Sequence, residues 1–320
     1  MVTEAPGADP VQHPSSSVEP WAPPDRCRAL QLVLAGLWFL DAVLQLQPFM
    51  FTKSFGLLML GPTAAGNPGL LAHPITDVSR SIGHHSVGAD TAFVVVQFVI
   101  AFGIAYRPTV RVALAGSIVW SVLVWWLGEG LGRVLTGAAS PLTGSPGAVV
   151  LYGVLAVLLW SADRPGPAPF PAARAVGGNA AKAIWIAIWA ALAATALFGS
   201  ATRHPRSLLS SMIAGEPGWL ASLDRHAANL VAGHGPGLAV AAAAVFGCIA
   251  AGVLAPPNVS RAVIAVAAVV AVAVWVVGEN LGQLFSGSAT DPNTGPILLL
   301  LAAAYWPLRQ GAPATVTRAV

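Results

Sequence analysis

The sequence predicts an all-α integral membrane protein with about eight transmembrane helices, arranged as two similar four-helix halves. Three observations support this fold class. Only 9% of the 320 residues are charged and 56% are hydrophobic, whereas soluble domains usually carry about 25% charged residues. Several apolar runs approach the roughly 20 residues that a spanning helix needs. The chain also repeats itself at a fixed offset, which indicates an internal duplication.

Eight apolar runs are the predicted spans, and the fourth and eighth are short for a full crossing. They cover about 29–51, 88–106, 108–127, 146–161, 181–199, 236–255, 259–278 and 295–308. Composition divides the chain further. We expect a disordered tail at 1–28, a first repeat at 29–161, a Pro/Gly-rich linker at 162–180, a second repeat at 181–308 and a tail at 309–320. The first tail lacks the apolar core of a signal peptide.

The repeat is clearest around two glutamates. Residues 125–132 recur 150 positions later as residues 275–282, and no gap is needed over a longer stretch around them. The same offset pairs His84 with His234, Glu129 with Glu279, and Pro146 with Pro296. Because the matched residues include polar ones in an apolar chain, they are the best indications of a functional site.

The distribution of positive charge predicts the orientation in the membrane. With eight spans, ten of the 16 Lys and Arg residues fall on one side, and the other six lie in two long loops that count less. Both termini are therefore expected in the cytoplasm of a cell whose inner (plasma) membrane holds the protein. This bias accounts for the net charge of +3, so the expected environment is the lipid bilayer and no nucleic-acid partner is expected.

Each predicted half has a histidine at the outer start of one span and a glutamate at the outer end of the next. Adjacent antiparallel helices would bring such side chains to one depth. Imidazole and carboxylate groups together can ligate a transition metal, relay protons or hydrogen-bond a quinone head group. The candidates for metal ligation, ligand binding or proton relay are His84, Glu129, His234 and Glu279. Alternatively, the glutamate turns only cap and pack helices.

Asp41 is a further candidate for ligand binding or proton relay. It lies near the middle of the first span, where a charge costs about 2.5–3.5 kcal/mol on insertion scales. We therefore expect Asp41 to face the bundle, to be protonated or to have a partner, for which Gln97 of the second span is a candidate. Aligning the two halves puts Thr195 opposite Asp41, so Asp41 would belong to an asymmetric site. Its polar stripe comprises Gln31, Trp38, Asp41 and Gln45.

The first span also carries a resemblance. It reads Leu34-Ala35-Gly36-Leu37-Trp38-Phe39-Leu40-Asp41-Ala42-Val43-Leu44-Gln45-Leu46-Gln47-Pro48-Phe49-Met50-Phe51. This stretch resembles polytopic membrane proteins of actinobacterial type, which are loosely similar to the DoxX-like family of four-helix membrane proteins. The resemblance implies a membrane oxidoreductase, or an accessory subunit of one, with quinone-coupled or thiol redox chemistry. It transfers no catalytic residue of that family onto this chain.

Three functions remain open at this stage. The first is an inner-membrane protein with an outward-facing His/Glu site for a metal, a quinone or another redox ligand, working with a membrane redox partner or a small-molecule ligand. The second is a transporter of a small solute or ion that uses Asp41 and two parallel repeats. The third is a non-catalytic scaffold or assembly subunit of an envelope or respiratory complex. No residue pattern in the sequence identifies a cofactor, and the sequence leaves open whether the protein is an enzyme.

Overall fold

The structure, a computed structural model, describes residues 25–160, 168–213 and 216–308. Within these ranges every regular element is helical, which confirms the all-α prediction. Most of the predicted first tail, part of the predicted linker and all of the predicted last tail lie outside the described residues. The α-helices of the described ranges are α1 (Arg26–Leu44), α2 (Gly69–His84), α3 (Ser86–Ala105), α4 (Val110–Leu127), α5 (Ala148–Leu158), α6 (Ala173–Val176), α7 (Gly178–Phe198), α8 (Ser200–Arg203), α9 (Pro205–Met212), α10 (Gly218–Leu230), α11 (Gly235–Gly252), α12 (Pro257–Ala273) and α13 (Thr294–Tyr305).

Six helical stretches of the described chain are long and apolar enough to cross a membrane. They are Arg26–Leu44, Ser86–Ala105, Arg107–Leu127, Gly178–Phe198, Gly235–Gly252 and Pro257–Gly278. The chain is therefore a multi-pass membrane protein. The first predicted span was expected to reach residue 51, but α1 ends at Leu44 and irregular turns follow it.

The fourth and eighth predicted spans are short apolar helices, α5 with 11 residues and α13 with 12. At 1.5 Å per residue neither reaches across a hydrocarbon core of about 30 Å. Both are buried over most of their length, whereas the six longer stretches leave most of their surface outside. An apolar helix that is covered all round belongs to a core. The short helices therefore form the centre of the bundle, and the long helices surround them.

Where the third and sixth long stretches end, the backbone becomes left-handed at two places 150 residues apart. The φ angles lie between 57° and 61° at residues 130–133, and between 53° and 68° at residues 280–283. We call these segments the left-handed turns. A left-handed conformation costs roughly 1–2 kcal/mol for each residue that has a Cβ atom. The residues with a Cβ atom in the two turns are Leu131, Arg133, Asn280, Leu281 and Gln283.

A tryptophan before each left-handed turn forms a hydrogen bond to a proline in the loop that follows the turn. The indole Nε1 of Trp125 donates to the Pro146 carbonyl at 2.6 Å, and that of Trp275 donates to the Pro292 carbonyl at 2.8 Å. Pro292 thus accepts the hydrogen bond that Pro146 accepts in the first turn, and it lies four residues before Pro296, with which the ungapped comparison pairs Pro146. The loop after the second turn is four residues shorter than the first, since these hydrogen bonds span 17 and 21 positions.

The left-handed turn at 130–133 yields a stability prediction from two glycines with similar φ angles. A Cβ atom on Gly132 would overlap the Pro146 carbonyl, whereas one on Gly137 would meet open space. We expect Gly137→Ala to cost about 1–2 kcal/mol, from the backbone conformation alone. Gly132→Ala should cost several kcal/mol, because the Pro146 backbone must also move. Thermal unfolding in detergent measures the stability of both variants. Equal melting temperatures would show that the approach of Gly132 to the Pro146 carbonyl does not affect stability.

Candidate functional site

Two neighbouring cavities open inside the end of the bundle that carries the left-handed turns. We call them the polar cavity and the apolar cavity. The polar cavity, of about 300 Å³, lies between the two turns and is lined by Glu129, Arg133, Glu279 and Asp291 among others. The apolar cavity, of about 410 Å³, is lined by Trp38, Phe93, Trp120 and Tyr152 and by the polar residues Asp41 and Gln97. Cavities of this size can hold a small organic ligand.

The two cavities adjoin one another. Four residues line both of them: Met59, Glu129, Thr290 and Asp291. Met59 belongs to the helical segment Phe55–Ala64, which packs against α2 and is held there by a 2.9 Å hydrogen bond from the Ser79 hydroxyl to the Gly56 carbonyl. This segment and α2 together cover the apolar cavity. The carboxyl groups of Glu129 and Asp291 therefore lie at the boundary between polar and apolar space.

Glu129 caps the short central helix α5. A single π-type turn precedes it, in which the Glu129 amide donates to the Val124 carbonyl at 2.9 Å. This turn aims the side chain at the beginning of α5, where Oε1 accepts a 3.2 Å hydrogen bond from the Val149 amide. The first amides of a helix lack partners within the helix, so a carboxylate there is stabilising. The other oxygen, Oε2, is buried and has no hydrogen-bond partner.

Glu279 caps the short central helix α13 in the same way. Its amide donates to the Val274 carbonyl at 2.8 Å, and its carboxylate accepts from the Gly295 amide at 3.1 Å and from the Thr294 hydroxyl. Only 1% of the residue is exposed. The two matched glutamates are therefore capping groups that also line the polar cavity. The capping alternative and the ligand alternative are both compatible with this geometry.

Asp291 is the residue that sequence reasoning missed. It lies in the short loop after the second left-handed turn, where Oδ2 accepts from the Thr290 hydroxyl at 2.8 Å and Oδ1 accepts from the Asn293 amide at 2.7 Å. An available signal was that Asp291 is the only acidic residue between Glu279 and the last predicted span. Burial raises the pKa of the Asp291 carboxyl above its ordinary value.

Burial also raises the pKa values of the two glutamates. The pKa of Glu129 rises to about 8, first through loss of hydration and then through the negative charge of Asp291, while the Val149 amide opposes the rise. The pKa of Glu279 rises to about 7 through burial, and the hydrogen bonds from Thr294 and Gly295 oppose it. Both carboxyl groups can therefore gain and lose a proton near neutral pH.

Asp41 lies inside the bundle, with 3% of its surface exposed, and lines the apolar cavity. Its partner is Tyr152 of α5, whose hydroxyl donates to Oδ1 at 3.0 Å. The expected partner, Gln97, lines the same cavity, but its Oε1 atom is buried without a partner. Tyr152 could not be inferred, because the partner of Asp41 depends on which short helix occupies the centre.

The two matched histidines lie elsewhere. His84 ends α2 and His234 precedes α11; both are exposed, and neither lines the polar or the apolar cavity. His234 Nδ1 pairs with its neighbouring Ala232 carbonyl at 2.9 Å. Among the residues that the structure describes, no group of three or more His, Cys, Asp or Glu side chains could hold a metal ion. The proposed metal role of His84, Glu129, His234 and Glu279 stays a prediction.

Comparisons with family models, with curated proteins and with solved structures give no match to this chain.

The buried Glu129 carboxyl should make stability depend on pH. A raised pKa means that the folded protein binds this proton more tightly than the unfolded chain does. The resulting stability is fully present below about pH 4.5, the ordinary value, and is lost as pH rises through about 8. We expect the melting temperature to fall over this window. The free energy of unfolding should decrease by at most about 1.4 kcal/mol for each unit by which the pKa is raised.

Glu129→Gln should flatten this fall, because an amide does not ionise and still offers an oxygen to Val149. Asp77→Asn is the matched control, since the Asp77 side chain is 73% exposed and should leave the pH profile unchanged. A wild-type slope that persists in Glu129→Gln would contradict the assignment.

Proposed function

We propose that the chain is a multi-pass inner-membrane protein, with both termini in the cytoplasm, that binds a small redox-active ring compound of the quinone class. The ligand would occupy the apolar cavity, and the left-handed turns would face the outer side of the membrane. The observation that carries this proposal is the apolar cavity itself, which combines aromatic walls with unpartnered polar atoms and adjoins a carboxyl group.

The unpartnered atoms suit a ring compound with polar substituents. The indole Nε1 of Trp120 is a buried donor without an acceptor, and Oε1 of Gln97 is a buried acceptor without a donor. Buried polar groups in native proteins nearly always have a partner. A quinone carbonyl would accept from Trp120, and the hydroxyl of its reduced form would donate to Gln97. The rings of Trp38, Phe93 and Tyr152 would then pack against the ring of the ligand.

An internal duplication is part of the proposal, and three matched features support it. The two left-handed turns have similar φ angles, the two tryptophan indoles donate to equivalent proline carbonyls, and the two glutamates cap equivalent helices. The matched helix ends also favour parallel repeats. The resemblance of the first span to DoxX-like proteins agrees with a redox ligand and a membrane redox partner.

A binding experiment with decylubiquinone tests the proposal. The purified protein in detergent should show saturable quenching of tryptophan fluorescence, and extraction of the membrane-derived protein should release a lipid quinone. Trp120→Phe keeps an aromatic ring but removes the indole N–H donor. The affinity of this variant for decylubiquinone should fall about 2- to 13-fold, the effect of one hydrogen bond. Val270→Phe is the matched control, because Val270 holds the position 150 residues after Trp120.

Two results would overturn this function. The first is a wild-type protein whose tryptophan fluorescence is not quenched by decylubiquinone and which releases no lipid quinone on extraction. The second is an unchanged affinity in Trp120→Phe together with an unchanged affinity in Gln97→Leu, since a ligand elsewhere would not depend on either side chain.

A transporter that uses Asp41 is the second candidate, and the adjoining cavities favour it. Because Glu129 and Asp291 line both spaces, a solute could pass from the polar cavity towards Asp41 in the first span. Uptake by proteoliposomes that is lost in Asp41→Asn, with no quinone binding in the same preparation, would replace the first proposal with this one.

A further inference from the structure

Four acidic side chains line the two adjoining cavities, and this charge is not balanced by the basic residues there. The acidic residues are Asp41, Glu129, Glu279 and Asp291. The one Lys or Arg side chain among the described lining residues is that of Arg133, which is exposed. Four ionised carboxylates in a buried space would repel one another and would lack hydration. The arrangement therefore requires bound protons.

Asp291 connects the other three acidic groups electrostatically. Its charge acts on Glu129 and on Glu279 in the polar cavity, and it also reaches Asp41 in the apolar cavity. The Tyr152 hydroxyl donates to Asp41, and the charges of Glu129 and Asp291 act on Tyr152. All four groups line the apolar cavity, and Glu129 and Asp291 line the polar cavity as well, so titratable groups extend from the polar cavity to the first span.

Unpartnered atoms point to exchange along this series. The buried Oε2 of Glu129 has no hydrogen-bond partner and lies against Gly147, which also lines the polar cavity. Gln97, 9% exposed, has an unpartnered Oε1 on the other side of the boundary, in the apolar cavity. If Glu129 served only as a helix cap, its buried Oε2 atom would have lost hydration without gaining a hydrogen bond.

We propose that the polar cavity is a proton-entry site, in which Asp291 and Glu129 pass protons between water at its mouth and Asp41 inside the bundle. Each step moves one proton from a carboxyl group to a carboxylate that lines the same cavity, and a hydronium ion of the solvent restores the proton at Asp291 and becomes water. The inference rests on the proposed function in one respect, because a ligand in the apolar cavity would receive or release the proton. The entry site itself needs no ligand.

The surroundings of Glu129 support this role. From α4 it is bordered by Val124 and Trp125, from α5 by Val149, and from the preceding loop by Gly147; these are neutral groups. The charged or titratable groups around it are Asp291 and Tyr152, which interact with it electrostatically, and Glu279 and the exposed Arg133, which line the same cavity. With a pKa of about 8, Glu129 populates both protonation states near neutral pH, as a relay group must.

Dicyclohexylcarbodiimide tests the proposal without any ligand. This apolar reagent adds to a protonated carboxyl group and leaves an N-acylurea that mass spectrometry locates. We expect Glu129 to be labelled at pH 7, with labelling that falls through a midpoint near pH 8. Asp291→Asn removes the neighbouring negative charge, so the midpoint should move to lower pH by about one unit, the lower end of the effect of one close charge.

Asp77→Asn is the control, because Asp77 is exposed and pairs with Arg80 on the surface; it should leave the midpoint unchanged. An unlabelled Glu129, or a midpoint that Asp291→Asn does not move in a variant with wild-type thermal stability, would overturn the proton-entry site. If Asp291→Asn does not fold, Thr290→Val serves instead: it removes the hydroxyl that donates to the Asp291 carboxylate, and the midpoint must again move.

Binding of decylubiquinone is measured on the same samples, so the two proposals can fail separately. Absent labelling with intact quinone binding would remove the proton-entry site alone. Labelling as expected without quinone binding would remove the proposed ligand and would leave the proton-entry site in place.

Discussion

Each short central helix begins at a glutamate whose carboxyl group accepts a hydrogen bond from one of the first amides of that helix. Glu129 occupies this position for α5 and Glu279 for α13. A helix that begins inside a membrane protein has no water to satisfy those amides, so a side chain must do so. To place the glutamate over the helix, the backbone reverses immediately after it, and the left-handed turns make that reversal. Hydrogen bonds from Trp125 and Trp275 hold the loops that lead into the two short helices, at the Pro146 and Pro292 carbonyls.

The same constraint produces the chemistry of the site. A carboxyl group that caps a central helix is removed from water, and burial raises its pKa towards neutrality. Asp291 reinforces this effect at Glu129, because its loop brings a further acidic group to the boundary of the two cavities. A capping residue and a proton-exchanging residue are therefore not alternatives here. One side chain can perform both functions, since one oxygen of Glu129 caps α5 and the other has no partner.

The two proposed halves share the caps but not the apolar cavity. Aligned by their structural counterparts, Tyr152 corresponds to Leu298 and Asp291 to Ser145, while Asp41 aligns with Thr195. Trp120 likewise corresponds to Val270, and Gln97 to Gly247. Among the polar groups of the apolar cavity, Glu129 alone has the same residue type at the matched position of the other half. A duplication that kept the helix caps for folding would have left one half free to diverge into a ligand site.

The sequence predicted the features that depend on local pattern. Apolar runs located the helices, and the repeat singled out Glu129 and Glu279 before their geometry was known. It failed where tertiary packing decides: hydropathy cannot distinguish a short core helix such as α5 from a thinned span. The sequence also could not show that His84 and His234 lie at helix ends outside the two cavities, and their metal role stays a prediction. Asp291 was missed because Ser145 stands at its matched position, so a search for polar residues that recur in both halves does not single it out.

The most direct test of this account is an infrared titration of the carboxyl band of the protein in detergent, taken as wild type minus Glu129→Gln. If Glu129 is a buried, exchangeable cap, the difference spectrum will contain the band of a protonated carboxyl group at neutral pH. That band will disappear with a midpoint near pH 8. A difference spectrum that shows only carboxylate at neutral pH would mean that Glu129 is ionised, and it would contradict the account.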